Sequence, residues 1–150
     1  MSATLEQITA LHRYFLWADR MRLHSEEVAA TRHPHATAGP PSPVHDEFFA
    51  HAYRSYWYAG TYVVIEGWRC LLLSDTEIDR LLDSPYVEAL KRYRHGVFHF
   101  QRKYFDTRFL EFTSAGGESA AWIRQVGEAF RRWFWGYIKE LESEGEPSNG

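Results

Sequence analysis

Apolar residues recur along this chain at alternating spacings of three and four, over stretches too long for strands. Leu5, Ile8, Leu11 (or His12), Phe15 and Ala18 share one face of a helix predicted over residues 4–30. Residues 33–44 then supply four prolines and a glycine, a composition that cannot continue a helix and reads as an exposed connection. A second helix opens at His45 or Asp46, with Asp46 as its cap, and runs to about residue 73. Its inward stripe is expected to be Ala52, Tyr56, Ala59, Val63, Glu66 and Cys70. Ser74-Asp75 has the character of an N-cap for a short helix over 76–82. Ser84-Pro85 repeats the signal, with proline at the tolerated first position. The helix that follows places Leu90, Tyr93, Val97, Phe100 and Tyr104 on one face, and Gly116-Gly117 ends it. A last helix over 118–141 turns Trp122, Val126, Phe130, Trp133, Tyr137 and Leu141 inward.

The pattern predicts an all-α helical bundle of four to five helices, forming one domain over residues 1–141. An acidic tail, 142–150, is expected to be disordered. Val63-Val64-Ile65 is β-prone, but the helical pattern flanking it should prevail. Trp133-Phe134-Trp135 projects three rings around one helix, more than a single core covers. Either this helix is central in the bundle or one ring faces another subunit, and the second alternative suggests a homodimer.

Composition narrows the class. Aromatics make up 17% of the 150 residues, with six Trp, nine Tyr and ten Phe, which excludes disorder and implies extensive ring burial. The single cysteine, Cys70, excludes an internal disulfide and reads as a small buried apolar residue in a reducing, cytoplasmic setting. No export signal and no membrane span are expected. There is no glycine-rich phosphate loop and no serine nucleophile elbow.

Charge points to one segment. Between Lys91 and Arg108 there are six Lys or Arg residues (Lys91, Arg92, Arg94, Arg102, Lys103 and Arg108) against one acid, Asp106. The whole chain carries a net charge of −3. Within this segment lies Arg94-His95-Gly96-Val97-Phe98-His99. An arginine forks onto phosphate oxygens, and a histidine exchanges protons near neutral pH. On an unbroken helix, positions five apart diverge by about 140°, so Arg94 and His99 would not share a face. A turn at Gly96 would be needed to bring them together. His95 and His99 do share one, with Arg92 and Arg102 along the same stripe.

The hexapeptide resembles the Arg-x(4–6)-His motif of the HEPN superfamily, with His95 at the polar position after the arginine. The resemblance spans roughly residues 46–141. It implies a HEPN-like bundle and a metal-independent endoribonuclease of toxin, defence or RNA-processing type, without a cofactor, with its site at a homodimer interface. His99 would then transfer a proton at a ribose 2′-hydroxyl, and Arg94 would stabilise charge on the scissile phosphate. His95 would orient the phosphate or share proton transfer. Lys91, Arg92, Arg102 and Lys103 would bind the RNA backbone. A cognate antitoxin or nucleotidyltransferase partner also fits the resemblance.

Other readings stay open. Glu66, expected inward, needs a partner: Arg94 or a motif histidine, or alternatively Arg13 or Arg131. The i, i+4 pair His95 and His99 has the spacing of two metal ligands on one helix. His51, Glu66 or the group His33, His35 and His45 would complete a DinB-like site, although Arg92 and Arg94 would repel a cation. A third class is a non-catalytic RNA- or partner-binding module. In it Phe98, Phe100, Tyr104 and Phe105 stack on bases, and Arg124, Arg131 and Arg132 extend a phosphate-tracking surface. By periodicity, Phe100 and Tyr104 belong to the core.

Overall fold

A computed structural model describes residues 2–30 and 43–145, all of whose regular elements are helices. In chain order they are α1 (Leu5–Ala30), α2 (Pro43–Cys70), α3 (Thr76–Leu82), α4 (Tyr86–Phe98), α5 (Thr107–Ser114) and α6 (Gly117–Gly145). The all-α bundle is as expected, with six helices among the described residues instead of four to five. The expected loop at 33–44 lies outside the described residues up to 42, and α2 already begins at Pro43, so Asp46 is not its cap. At the other end, α6 continues past residue 141 to Gly145, and only 146–150 of the expected tail fall outside the description.

Local chemistry explains where the helices start. Thr4 and Gln7 form a reciprocal capping box: the Thr4 N–H donates to Gln7 Oε1 (2.9 Å), and the Gln7 N–H to Thr4 Oγ1 (3.2 Å). Asp75 caps α3 by accepting from the Glu77 and Ile78 N–H groups at 3.0 and 3.1 Å. Ser84 Oγ accepts from the Tyr86 N–H (3.2 Å) at the start of α4, with Pro85 in helical backbone geometry beside it.

Helices α1 and α2 form an antiparallel hairpin, drawn close where α2 carries glycine. A Cβ on Gly60 would stand 3.0 Å from Ala18 Cβ, and one on Gly67 would stand 2.5 Å from Leu11 Cδ1. Against this pair lies α6, whose Phe130 and Phe134 meet Phe15 at ring separations of 6.4 and 5.4 Å. Trp68 sits between Phe130 and Trp133, edge to face with both (5.5 and 4.9 Å). The arginines of α6 fasten neighbouring helices: Arg131 bonds Asp19 of α1 (2.7 Å), and Arg132 bonds Asp75 and Glu77 of α3 (2.8 and 3.0 Å). Arg124 pairs with Glu26. These three side chains therefore hold the bundle together and do not form a free phosphate-tracking surface.

The aromatic triplet divides as its spacing implies. Phe134 is buried, Trp133 is half-buried and stacked on Tyr137 (5.6 Å), and Trp135 faces outward with Lys139 over its ring (5.3 Å).

Three expectations about faces are corrected. The buried side of α2 is Trp57, Tyr58, Ala59, Thr61, Tyr62, Val64, Ile65 and Trp68, so Ala59 of the expected stripe is buried, Ala52 and Val63 are half-buried, and Tyr56, Glu66 and Cys70 are exposed. A ring-rich helix offers several stripes at the same spacing, and contact with α1, α4 and α6 selects one of them. Helix α4 ends at Phe98, so Phe100 and Tyr104 are not core. His99 is its C-cap in extended conformation (φ −125°, ψ 128°). Finally, Gly96 does not turn the chain. It is buried inside α4, where a Cβ would lie 3.1 Å from the Phe109 ring, so it lets α5 approach.

Candidate functional site

The candidate residues fall into two groups on opposite sides of the end of α4. The first faces α2. Arg94 is half-buried, with Nη2 3.9 Å from Glu66 Oε2 and its guanidinium 5.9 Å over the Tyr62 ring. Arg94 Nε is buried and has no hydrogen-bond partner. Glu66 thus meets Arg94, and not Arg13 or Arg131, although its side chain is 53% exposed instead of inward. Burial raises the Tyr62 phenol pKa above its ordinary value, and the nearby Glu66 and Glu88 carboxylates add to the rise.

The second group faces the connection between α4 and α5. His95 and His99, one helical turn apart, stack with ring centroids 4.3 Å apart and planes 27° from parallel. The His99 N–H donates to the His95 carbonyl (3.1 Å), closing the last turn of the helix. Desolvation holds the His95 imidazole below the ordinary histidine range, and the charges of His99, Arg108 and Arg94 push the same way. The helix brings His95 to His99 but gives Arg94 no bond to His99. Removing the turn at Gly96 leaves these two on separate faces.

A cleft of about 920 Å³ opens beside His99, walled by the ends of α1 and α2, by α5 and by residues 99–106. Its polar lining includes His51, Arg54, Gln101 and Lys103, and Phe109 contributes to its apolar wall. Arg54 Nη2 lies 3.1 Å from His51 Nδ1. Burial and then the Arg54 charge hold the His51 imidazole low as well.

The four basic residues assigned to RNA differ in availability. Arg92 is forked onto both carboxylate oxygens of Glu111, tying α4 to α5, and is not free. Lys91, Arg102 and Lys103 are exposed and form no ion pair among the described residues. Arg108 is used structurally: its Nη1 donates to Gln101 Oε1 (2.9 Å) and to both oxygens of Asp106 (3.1 and 3.2 Å).

Among the described residues no three His, Cys, Asp or Glu side chains come together as a metal-ligand group. His33, His35 and the His45 side chain lie outside the description. No described helix is long and apolar enough to cross a membrane.

Helical periodicity put Phe100 and Tyr104 in the core, although the binding-module reading had them outward, and nothing in the pattern placed His51 and Arg54 at the cleft. Asp106-Thr107 carried a usable signal for the outward rings, because it repeats the Asp75-Thr76 cap. Asp106 indeed accepts from the Arg108 N–H (3.0 Å) and starts α5.

Known proteins do not extend this description. The chain matches no protein-family model, no curated protein and no solved structure.

Proposed function

We propose that this protein is a metal-independent endoribonuclease of the HEPN type, acting at the end of α4. The observation that carries the reading is the contact of two exposed imidazoles, His95 and His99, beside a cleft lined by Arg54 and Lys103. RNA cleavage by its own 2′-hydroxyl needs a base and an acid but no metal. The base takes the hydroxyl proton, and the oxygen bonds to the adjacent phosphorus. The phosphorus then releases the 5′-oxygen, which receives a proton from the acid. The products are a cyclic phosphate and a free 5′-hydroxyl.

Desolvation, with the charges of His99, Arg108 and Arg94 behind it, holds the His95 imidazole below the ordinary histidine range. His99, at the cleft, is the proton-transfer residue, and His95, held neutral, orients the phosphate or shares the proton. Arg94 has donor capacity left over at its unpartnered Nε, but it faces α2. A homodimer that apposes two α4 ends would supply one subunit's Arg94 to the other's His99. The engagement of Arg94 with Glu66 favours a second reading, in which the same surface binds RNA without cutting it.

The test is incubation of the purified protein with mixed RNA in excess chelator, in parallel with His99→Ala and Arg94→Ala. Cleavage is expected for the unaltered protein and is expected to be lost in both variants. It should also fail where the sugar at the cut is 2′-deoxy. Cleavage that survives His99→Ala would remove the mechanism, and binding without scission would leave the second reading.

A further inference from the structure

Residues 99–106 carry the most exposed Phe and Tyr rings of the described chain: Phe100 at 93%, Tyr104 at 85% and Phe105 at 74%. Phe98, just before them, is also exposed and leans on the exposed Tyr56 (6.2 Å). Apolar rings are ordinarily withdrawn from water, and clusters left outside mark a contact surface. The segment is not slack. Arg108 ties Gln101 to Asp106, and Gln101 Nε2 donates to the His99 carbonyl (2.7 Å). Tyr104 and Phe105 brace each other edge to face at 5.0 Å. The rings are therefore held outward by a fastened loop, with Arg102 and Lys103 between them and in no ion pair among the described residues.

We infer that residues 99–106 form a stacking platform for unpaired RNA bases, with Phe100, Tyr104 and Phe105 as ring surfaces and Arg102 and Lys103 on the intervening phosphates. The chemistry is that of single-strand recognition, in which base faces meet aromatic faces and cations follow the backbone. Duplex RNA fits badly, because its bases are already stacked on one another. A second copy of the chain seated on the rings themselves also fits badly, so a dimer joined at the α4 ends has to leave Phe100, Tyr104 and Phe105 open. A two-fold contact puts the same patch on both sides, so Arg102 and Lys103 would confront their own charges. The platform adjoins His99, so a strand lying on it passes the imidazole pair. The inference rests on the nuclease reading for its choice of ligand, but not for its geometry.

Binding is measured by fluorescence anisotropy with a short single-stranded 2′-O-methyl RNA, which cannot be cut. Its duplex, an abasic analogue and anionic lipid vesicles serve as competitors. Phe100→Ala, Tyr104→Ala and Phe105→Ala are each expected to weaken single-strand binding by about five- to a hundredfold. These side chains are exposed, so folding should be unaffected, as checked by thermal unfolding. The duplex and the abasic strand should compete poorly.

The platform is overturned if the ring variants bind as tightly as the unaltered protein, or if the abasic strand competes equally. It is also overturned if vesicles displace the RNA completely, or if the substitutions only dissociate a dimer. Ring-dependent binding without any cleavage would instead overturn the nuclease reading and leave the platform standing. Cleavage that is indifferent to the rings would do the reverse.

Discussion

The imidazole of His95 lies on that of His99, with centroids 4.3 Å apart, at the point where α4 stops. The neighbouring charge is one reason why His95 resists protonation. A titration followed by ¹⁵N-resolved NMR should find His95 below the ordinary histidine value of 6.5. In His99→Ala that pKa should rise, because one of the opposing charges is gone. An unchanged His95 titration would mean that the two rings do not interact in solution.

Stability should fall on mild acidification. His12, His51 and His95 all have depressed pKa values in the folded protein, led in each case by desolvation. The unfolded chain therefore binds more protons, and unfolding gains ground as pH falls through about 6.5. Asp75, Asp106, Glu26 and Glu111 are held low too, and their contribution is lost only when pH drops through the ordinary carboxylate range. Melting temperature against pH should show two descending steps, the first near neutrality. His12→Asn and His51→Asn should flatten that first step.

Glu66 can be separated from mere scaffolding. Its contact with Arg94 is long and partly exposed, so Glu66→Gln should change stability by less than about 1 kcal/mol. The same variant should alter the rate of RNA cleavage, because Arg94 loses the carboxylate that orients it. Full cleavage together with full stability would remove Glu66 from the site.

Two glycine substitutions should have opposite signs. Alanine in mid-helix normally stabilises by roughly 0.5–1 kcal/mol relative to glycine. At Gly127 a Cβ meets nothing within 4 Å, so Gly127→Ala should show that gain. At Gly60 the Cβ would stand 3.0 Å from Ala18 Cβ and 3.4 Å from Ala18 Cα, atoms that no rotamer can move. Gly60→Ala must part α1 from α2, and overpacking of this kind costs about 1–3 kcal/mol. Denaturant midpoints would decide both cases.

Arg92 and Lys103 are both basic and both exposed, but Arg92 is paired with Glu111 while Lys103 forms no ion pair among the described residues. Lys103→Ala should weaken RNA binding and reduce the slope of log affinity against log salt by about one. Arg92→Ala should leave that slope unchanged and lower stability instead, through loss of the Glu111 bridge. Equal effects on the salt slope would mean that RNA takes Arg92 away from Glu111.

Much of this architecture was legible without coordinates. The apolar stripe of α1 names its buried residues Ile8, Leu11, Phe15 and Ala18, although Leu5 at its start is exposed, and Asp75-Thr76 names the start of α3. These depend on interactions within a few residues, which a sequence records directly. The pairing of Glu66 with Arg94 was also anticipated, although from a burial that Glu66 does not have.

The sequence by itself determined the helical class, the Asp75 cap of α3 and the concentration of Arg, Lys and His around residues 91–108. Tertiary structure alone decided which stripe of α2 is buried, because its rings point all round and three neighbouring helices compete for them. It also decided that α4 stops at Phe98. Val97, Phe100 and Tyr104 keep helical spacing, and neither proline nor glycine interrupts them beyond Gly96. The chain breaks there because α5 packs back over Gly96, Phe109 against Tyr93 and Arg92 against Glu111, and the connection must turn to allow it. That long-range packing exposes Phe100, Tyr104 and Phe105 beside the histidine pair, and no local pattern encodes it.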